Sequence, residues 1–64
     1  MKVAINNYED STLNLYEFKG KKFETPDFDI EGYISDILGY SLSNIEWFVF
    51  KEIIEHRIDY EKAD

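Results

Sequence analysis

The side chains of this 64-residue chain that could do chemistry are almost all carboxylates. Fourteen Asp and Glu stand against seven Lys and Arg, with one His and no Cys, for a formal net charge of −7. One His without thiols cannot build a structural zinc site of four nitrogen or sulfur ligands. His56 is better placed to pair with Glu52 on a helix surface than to act as a base. No nucleophile stands near a plausible base, so we expect no enzymatic activity, no cofactor and no metal.

Six of the carboxylates have a spacing that suits a basic partner. Residues two apart on a strand or five apart on a helix are separated by roughly 7 Å, close to the spacing of successive phosphates along one DNA strand. The residues that could form such a phosphate-like track are Asp27, Asp29, Glu31, Asp36, Glu46 and Glu52. Strong acidity disfavours direct binding to nucleic acid or an anionic membrane and suits a partner with a basic cleft. It equally suits a domain whose charge only keeps it soluble.

Two stretches of alternating polar and apolar residues predict strands at residues 2–6 and 12–18. Residues 19–22, Lys-Gly-Lys-Lys, form either a tight turn that opens a hairpin or a bulge in one long strand. Extended structure is expected to resume at residues 23–25 and to end at Pro26, which cannot donate to a strand ladder.

An amphipathic helix is predicted to follow. Asp27 or Asp29 can cap its N-terminus, and Gly39 follows its expected end near Leu38. Gly32, on the solvent side, is expected to cost about 1 kcal/mol relative to alanine. The apolar positions that recur at helical spacing and are expected to pack on the sheet are Ile30, Tyr33, Ile34, Ile37 and Leu38.

Residues 45–54 hold the densest run of aromatic and β-branched residues and are predicted to form the central strand. Alternation puts Phe48 and Phe50 on one face of this strand and Trp47 and Val49 on the other. One helix can cover only one face. The face of Phe48 and Phe50 is therefore expected either to form a homodimer or partner-binding surface, or to be closed by the apolar residues of the last segment.

The C-terminal segment allows two interpretations. Ile54 and Ile58 are four residues apart among good helix formers, which predicts a short helix from about Glu52. Residues 43–46, Ser-Asn-Ile-Glu, also match a capping box, which leaves open one long helix over residues 44–61.

These elements predict a single domain over residues 1–64. Its expected class is α+β, a small three- to four-stranded antiparallel sheet with one packed helix in the order β-β-α-β, and a short C-terminal helix. There is no apolar run near 18 residues, and residues 1–4 do not open a signal peptide. A cytoplasmic location without a membrane partner is therefore expected.

Four segments carry a likeness to a known family. They are the opening strand at residues 1–5, the Gly20–Pro26 segment with its glycine, aromatic and proline, the acidic helix ending in Leu38-Gly39, and the acidic, aromatic strand at residues 46–52. The chain resembles here the N-terminal module of the ArdA-type antirestriction proteins, acidic DNA mimics carried by mobile elements. Lys22 stands where the family usually has a tryptophan or other large residue, and the family's later modules have no counterpart in these residues. The resemblance implies a three-stranded sheet with one helix that binds the DNA site of a restriction-modification enzyme.

Residues 20–23, Gly-Lys-Lys-Phe, and the order of strand, Gly-Lys turn, strand, helix and strand are also similar to the small dimeric phage inhibitors of uracil-DNA glycosylase. Both likenesses imply a DNA-mimic inhibitor of a DNA-processing or defence enzyme in the bacterial host. Carboxylates would replace phosphates, and Phe48 and Phe50 would supply an apolar anchor. The alternative is a small structural or regulatory interaction protein of a phage or mobile element, with incidental acidity.

Overall fold

The computed structural model describes residues 1–60. A three-stranded antiparallel sheet and one α-helix make up the fold, which confirms the predicted α+β class. The elements in chain order are β1 (Lys2–Asn7), β2 (Thr12–Glu17), a first 3-10 turn (Lys21–Glu24), α1 (Ile30–Asp36), a second 3-10 turn (Leu42–Asn44) and β3 (Ile45–Phe50). No helix within these residues is long and apolar enough to cross a membrane.

The central strand is β1, because the strand order is β2-β1-β3. Both neighbours run antiparallel to β1, with Lys2 opposite Glu17 on one side and Phe50 on the other. The prediction that residues 45–54 form the central strand was therefore wrong in position and in length. β3 lies at an edge and has only the six residues of β1 to pair with, so its ladder stops at Phe50.

Two further predictions were wrong. Residues 23–25 do not resume a strand, because Gly20, with φ of +122°, redirects the chain into the first 3-10 turn. Residues 51–59 have no regular secondary structure, so neither the short C-terminal helix nor a helix over 44–61 forms in the described part of the chain. Ile54 and Ile58 have no surface to pack on, and a short helix without packing is marginal in water.

The helix α1 begins after Asp29, one of the two expected caps, and ends two residues earlier than expected. At the C-terminal end of α1 the Leu38 N–H donates to the Tyr33 carbonyl at 3.1 Å, and the Tyr40 N–H donates to the Ile34 carbonyl at 3.1 Å. Gly39, between these two donors, has a φ of +82°, in the left-handed region that glycine adopts without steric cost.

The core lies between α1 and one face of the sheet. Val3 and Ile5 of β1 and Ile34 of α1 are completely buried, and Phe18 is nearly so. The register places Tyr16 and Val49 beside Val3, and Trp47 beside Ile5, on this same face. Tyr16, Trp47 and other half-buried side chains complete the core at its margins.

Four aromatic rings close one end of this core. Phe18 stacks on Phe23 with centroids 5.1 Å apart, and Phe28 meets Phe23 edge to face at 5.1 Å. Tyr33 of α1 contacts Phe18 at 5.3 Å and Phe23 and Phe28 at 5.6 Å. This group, which we call the aromatic cluster, ties the segment between β2 and α1 to the helix without any strand pairing.

Candidate partner-binding surfaces

The structure divides the eight predicted site residues between two sides of the molecule. Asp27, Asp29, Glu31 and Asp36 lie on α1 and in the loop before it, and we call this the acidic side. The other four lie on the sheet face turned away from α1, or beside it: Glu46, Phe48, Phe50 and Glu52. The six carboxylates therefore do not share one face, and no aromatic anchor of the predicted set stands among the four on the acidic side.

Three carboxylates of the acidic side accept hydrogen bonds, and Asp36 Oδ1 does so from the neighbouring Ser35 hydroxyl at 3.0 Å. Asp29 Oδ1 accepts the Gly32 N–H at 3.1 Å, which caps α1. Glu31 Oε2 accepts the indole N–H of Trp47 at 3.4 Å and so connects α1 to β3. Asp27 forms no such bond, although it lies two residues before the cap. Orientation by the fold lowers the entropy that Asp29 and Glu31 would lose on binding a partner.

Positive side chains neutralise little of the acidity. All eleven Asp and Glu within residues 1–58 are exposed. Within the same residues one ion pair forms, between Lys19 Nζ and Glu17 Oε1 at 3.7 Å, and both of its side chains are at least half exposed. The carboxylates therefore direct a strong negative potential into solvent, which attracts a basic surface over distances up to about 10 Å at ordinary salt.

The sheet face turned away from α1, which we call the open face, is apolar at its centre. Across the three strands its side chains form rows: Leu15, Ala4 and Phe48 in the middle, Glu17, Lys2 and Phe50 at one end, and Leu13, Asn6 and Glu46 at the other. Leu13 is 60% exposed, and Leu15 and Phe48 are each 47% exposed. The small side chain of Ala4 leaves a groove of about 200 Å³ between Leu15 and Phe48, which Ile53 also lines.

The chain continues beyond the open face as an arm, residues 51–60, in which every residue is exposed. Ile53 lines a groove of the open face together with Leu15 and Phe50. The apolar side chains that follow are 68% to 85% exposed: Ile54, Ile58 and Tyr60. The interpretation in which they close the sheet is thus not what the structure shows. The largest dimension, 55 Å, and the radius of gyration, 15.6 Å, reflect this arm, since a compact chain of this length has a radius near 11 Å.

The sequence did not predict that the apolar side chains of β2 and β3 form one continuous surface. Alternation identified the Phe48 and Phe50 side of β3, and it also put Leu13 and Leu15 on one side of β2. Joining the two pairs into one surface requires the strand order, which places β1 between them with Ala4 at the centre. The apolar alternation in β2 was the available signal.

Titratable residues form no metal site among residues 1–60, where no group of three His, Asp or Glu is placed to hold an ion. No protein-family model, no curated protein and no solved structure matches this chain.

Proposed function

We propose that this protein is an acidic DNA mimic that inhibits a bacterial DNA-processing or defence enzyme by occupying its basic nucleic-acid cleft. A restriction-modification enzyme is the first choice of target, and a uracil-DNA glycosylase is the second. The observation that carries the proposal is the set of exposed carboxylates of the acidic side, none of which is paired with a cation.

The acidic side has properties that a mimic needs. A carboxylate in an ion pair would have to break that pair before it could meet a target, whereas Asp27, Glu31 and Asp36 are exposed and form no ion pair. Their mutual repulsion also raises the free energy of the free protein, and a basic cleft relieves it. Binding to such a cleft is expected to be fast and sensitive to salt.

Inhibition assays test the proposal directly. DNA cleavage by a restriction-modification enzyme and uracil excision by a glycosylase are measured with increasing protein. The variant Asp27→Asn/Glu31→Gln keeps side-chain size and, through the Gln amide oxygen, an acceptor for Trp47. We expect it to inhibit at least about tenfold less well, since two charge-assisted contacts are lost.

The matched control is Glu24→Gln/Glu55→Gln. It removes the same two charges from exposed positions outside the acidic side and outside any hydrogen bond of the described residues. Equal loss in both variants would mean that net charge alone acts, not the arrangement of the acidic side. Failure of the wild type to inhibit either enzyme at low salt would reject both choices of target.

The open face supports a second candidate function, a structural or regulatory interaction protein whose acidity is incidental. Its apolar centre of Leu15, Ala4 and Phe48 suits a non-ionic contact. If this is the function, partner binding is lost in Leu15→Lys and is retained in Asp27→Asn/Glu31→Gln. If the protein is a DNA mimic, Asp27→Asn/Glu31→Gln is instead the variant that loses partner binding.

A further inference from the structure

The single chain exposes more surface than a compact monomer of its mass. Its accessible surface is 5509 Å² at a mass of 7.6 kDa. A compact monomer of that mass exposes about 4,300 Å². The excess of about 1,200 Å² is larger than the roughly 800 Å² that one partner buries in a standard stable interface.

The open face cannot supply that area alone. Three strands of six residues cover roughly 20 Å by 15 Å, which is well below the area of a standard interface. The arm supplies the remainder. Its residues alternate between apolar or aromatic side chains (Ile54, His56, Ile58 and Tyr60) and charged ones (Glu55, Arg57 and Asp59), the pattern of a segment laid with one side on an apolar surface.

The arm is poorly suited to cover its own open face. Ile53 lines one groove with Leu15 and Phe50, but Ile54 and Ile58 are 68% and 81% exposed, so bringing them onto the face would need a turn after Ile53. Residues 51–60 contain no Gly, Pro or Asn to make that turn. Extended from Ile53, the rest of the arm reaches roughly 23 Å beyond its own sheet.

One pair of charges on the open face is complementary between two copies. Lys2 lies at one end of the face and Glu46 at the other, and neither forms an ion pair within its own chain. Consider two copies whose open faces are related by a two-fold axis that lies between the sheets and runs perpendicular to the strands. This symmetry puts the Lys2 end of each open face over the Glu46 end of the partner's open face. Lys51 and Arg57 bring the arm close to neutrality, so it can approach an acidic copy.

We propose that two copies of this chain pair with open face against open face, and that the arm of each copy lies on its partner. The contact is isologous, with the same surface used twice. The row of Leu15, Ala4 and Phe48 forms its apolar centre, and Lys2 and Glu46 form two ion pairs at its ends. Both acidic sides then point outward, so pairing does not compete with the function proposed above.

The oligomeric state of the full chain, measured by sedimentation equilibrium, tests the pairing. Wild type is expected to be a dimer. Phe48→Lys is expected to weaken the dimer by about tenfold or more, because an ammonium group is buried in an apolar contact. Val49→Lys is the matched control: it changes the adjacent residue of β3, which is similarly exposed but on the opposite face, and is expected to remain dimeric. Unchanged far-ultraviolet circular dichroism verifies folding.

A charge swap tests the arrangement of the two copies. Lys2→Glu and Glu46→Lys are each expected to weaken the dimer, and the double variant to recover it, because only the double variant restores opposite charges across the interface.

The contribution of the arm is tested in the full chain by Ile54→Ser/Ile58→Ser. This change removes no packing within one copy, since both side chains are exposed, and is expected to weaken the dimer.

Three results would overturn the inference. One is a wild type that stays monomeric, with a Kd weaker than about 1 mM. Another is a dimer that Phe48→Lys leaves intact or that Val49→Lys disrupts equally. The third is amide-exchange protection of the arm that does not depend on concentration, which would show that the arm covers its own chain. None of these readouts depends on inhibition of an enzyme.

Discussion

At the residue scale, Asp29 and Gly32 act together at the start of α1. Asp29 could be chosen as a cap from the sequence, because Asp is a favoured residue at that position. The role of Gly32 could not be, since it depends on where the carboxylate lies. A Cβ on Gly32 would stand 2.5 Å from Asp29 Oδ2, so the glycine makes room for the cap.

Gly32→Ala is therefore expected to be nearly neutral and not stabilising. The gain of about 1 kcal/mol in helix propensity is offset by loss of a cap worth about the same. Chemical denaturation separates the gain in helix propensity from the loss of the cap if Gly32→Ala is measured both in the wild type and in the Asp29→Ala variant. In the Asp29→Ala variant, which has no cap to lose, Gly32→Ala is expected to stabilise the protein by about 1 kcal/mol. An equal effect of Gly32→Ala in both backgrounds would mean that the side chains of the pair do not interfere.

Tyr16 and Tyr40 form a second coupled pair, with their hydroxyl oxygens 2.6 Å apart. Burial, followed by this hydrogen bond, raises the pKa of Tyr40 from 10.0 to about 12. The stability that Tyr40 contributes is therefore fully present below pH 10 and is lost between about pH 10 and 12. Absorbance at 295 nm is expected to show one tyrosine ionising late, and in Tyr16→Phe that step is expected to move to lower pH. A titration unchanged by Tyr16→Phe would contradict the coupling.

At the element scale, local pattern predicted the first two strands within one residue at each end, because alternation over six residues is a local property. It predicted β3 as a strand but made it central and too long. Its length is set by β1, and pairing between residues 38 to 48 positions apart has no local signal. Alternation alone predicted that Phe48 and Phe50 share one face of β3. The strand order is needed to place Leu13 and Leu15 on the same surface as these two residues.

The first 3-10 turn was missed for a similar reason. Phe23 is held by the rings of Phe18, Phe28 and Tyr33, which come from three different segments. Phe23→Ala is expected to destabilise the protein by about 2 kcal/mol, less than the 3–5 of a fully buried ring because Phe23 is half-buried. Tyr8→Ala, at an exposed position outside the aromatic cluster, is the control and is expected to change stability by less than about 0.5 kcal/mol. Similar losses in both would show that the cluster contributes little.

At the scale of the whole molecule, the four carboxylates of the acidic side and most of the exposed large hydrophobic residues lie on different sides. The acidic side carries exposed, unpaired carboxylates, and the open face and arm carry most of the exposed large hydrophobic residues. This separation allows one side to bind a basic target while the other binds a second copy.

Salt is expected to stabilise the folded protein. A formal charge of −7 with a single ion pair in residues 1–58 means that repulsion outweighs attraction, and screening weakens repulsion. The midpoint of thermal unfolding is expected to rise between 0.01 M and 0.5 M NaCl. Repeating the scan at several protein concentrations separates this effect from dimer formation. A midpoint that falls with salt would mean that attractive pairs dominate.

The most direct test of the mimicry account is competition for the DNA site of the target enzyme. Fluorescently labelled DNA is bound to a restriction-modification enzyme or a uracil-DNA glycosylase, and its anisotropy is followed as this protein is added at several salt concentrations. The account predicts complete displacement of the DNA by wild type, weaker displacement by Asp27→Asn/Glu31→Gln, and an affinity that declines as salt rises. A complex containing enzyme, DNA and this protein together, or DNA that stays bound throughout, would contradict it.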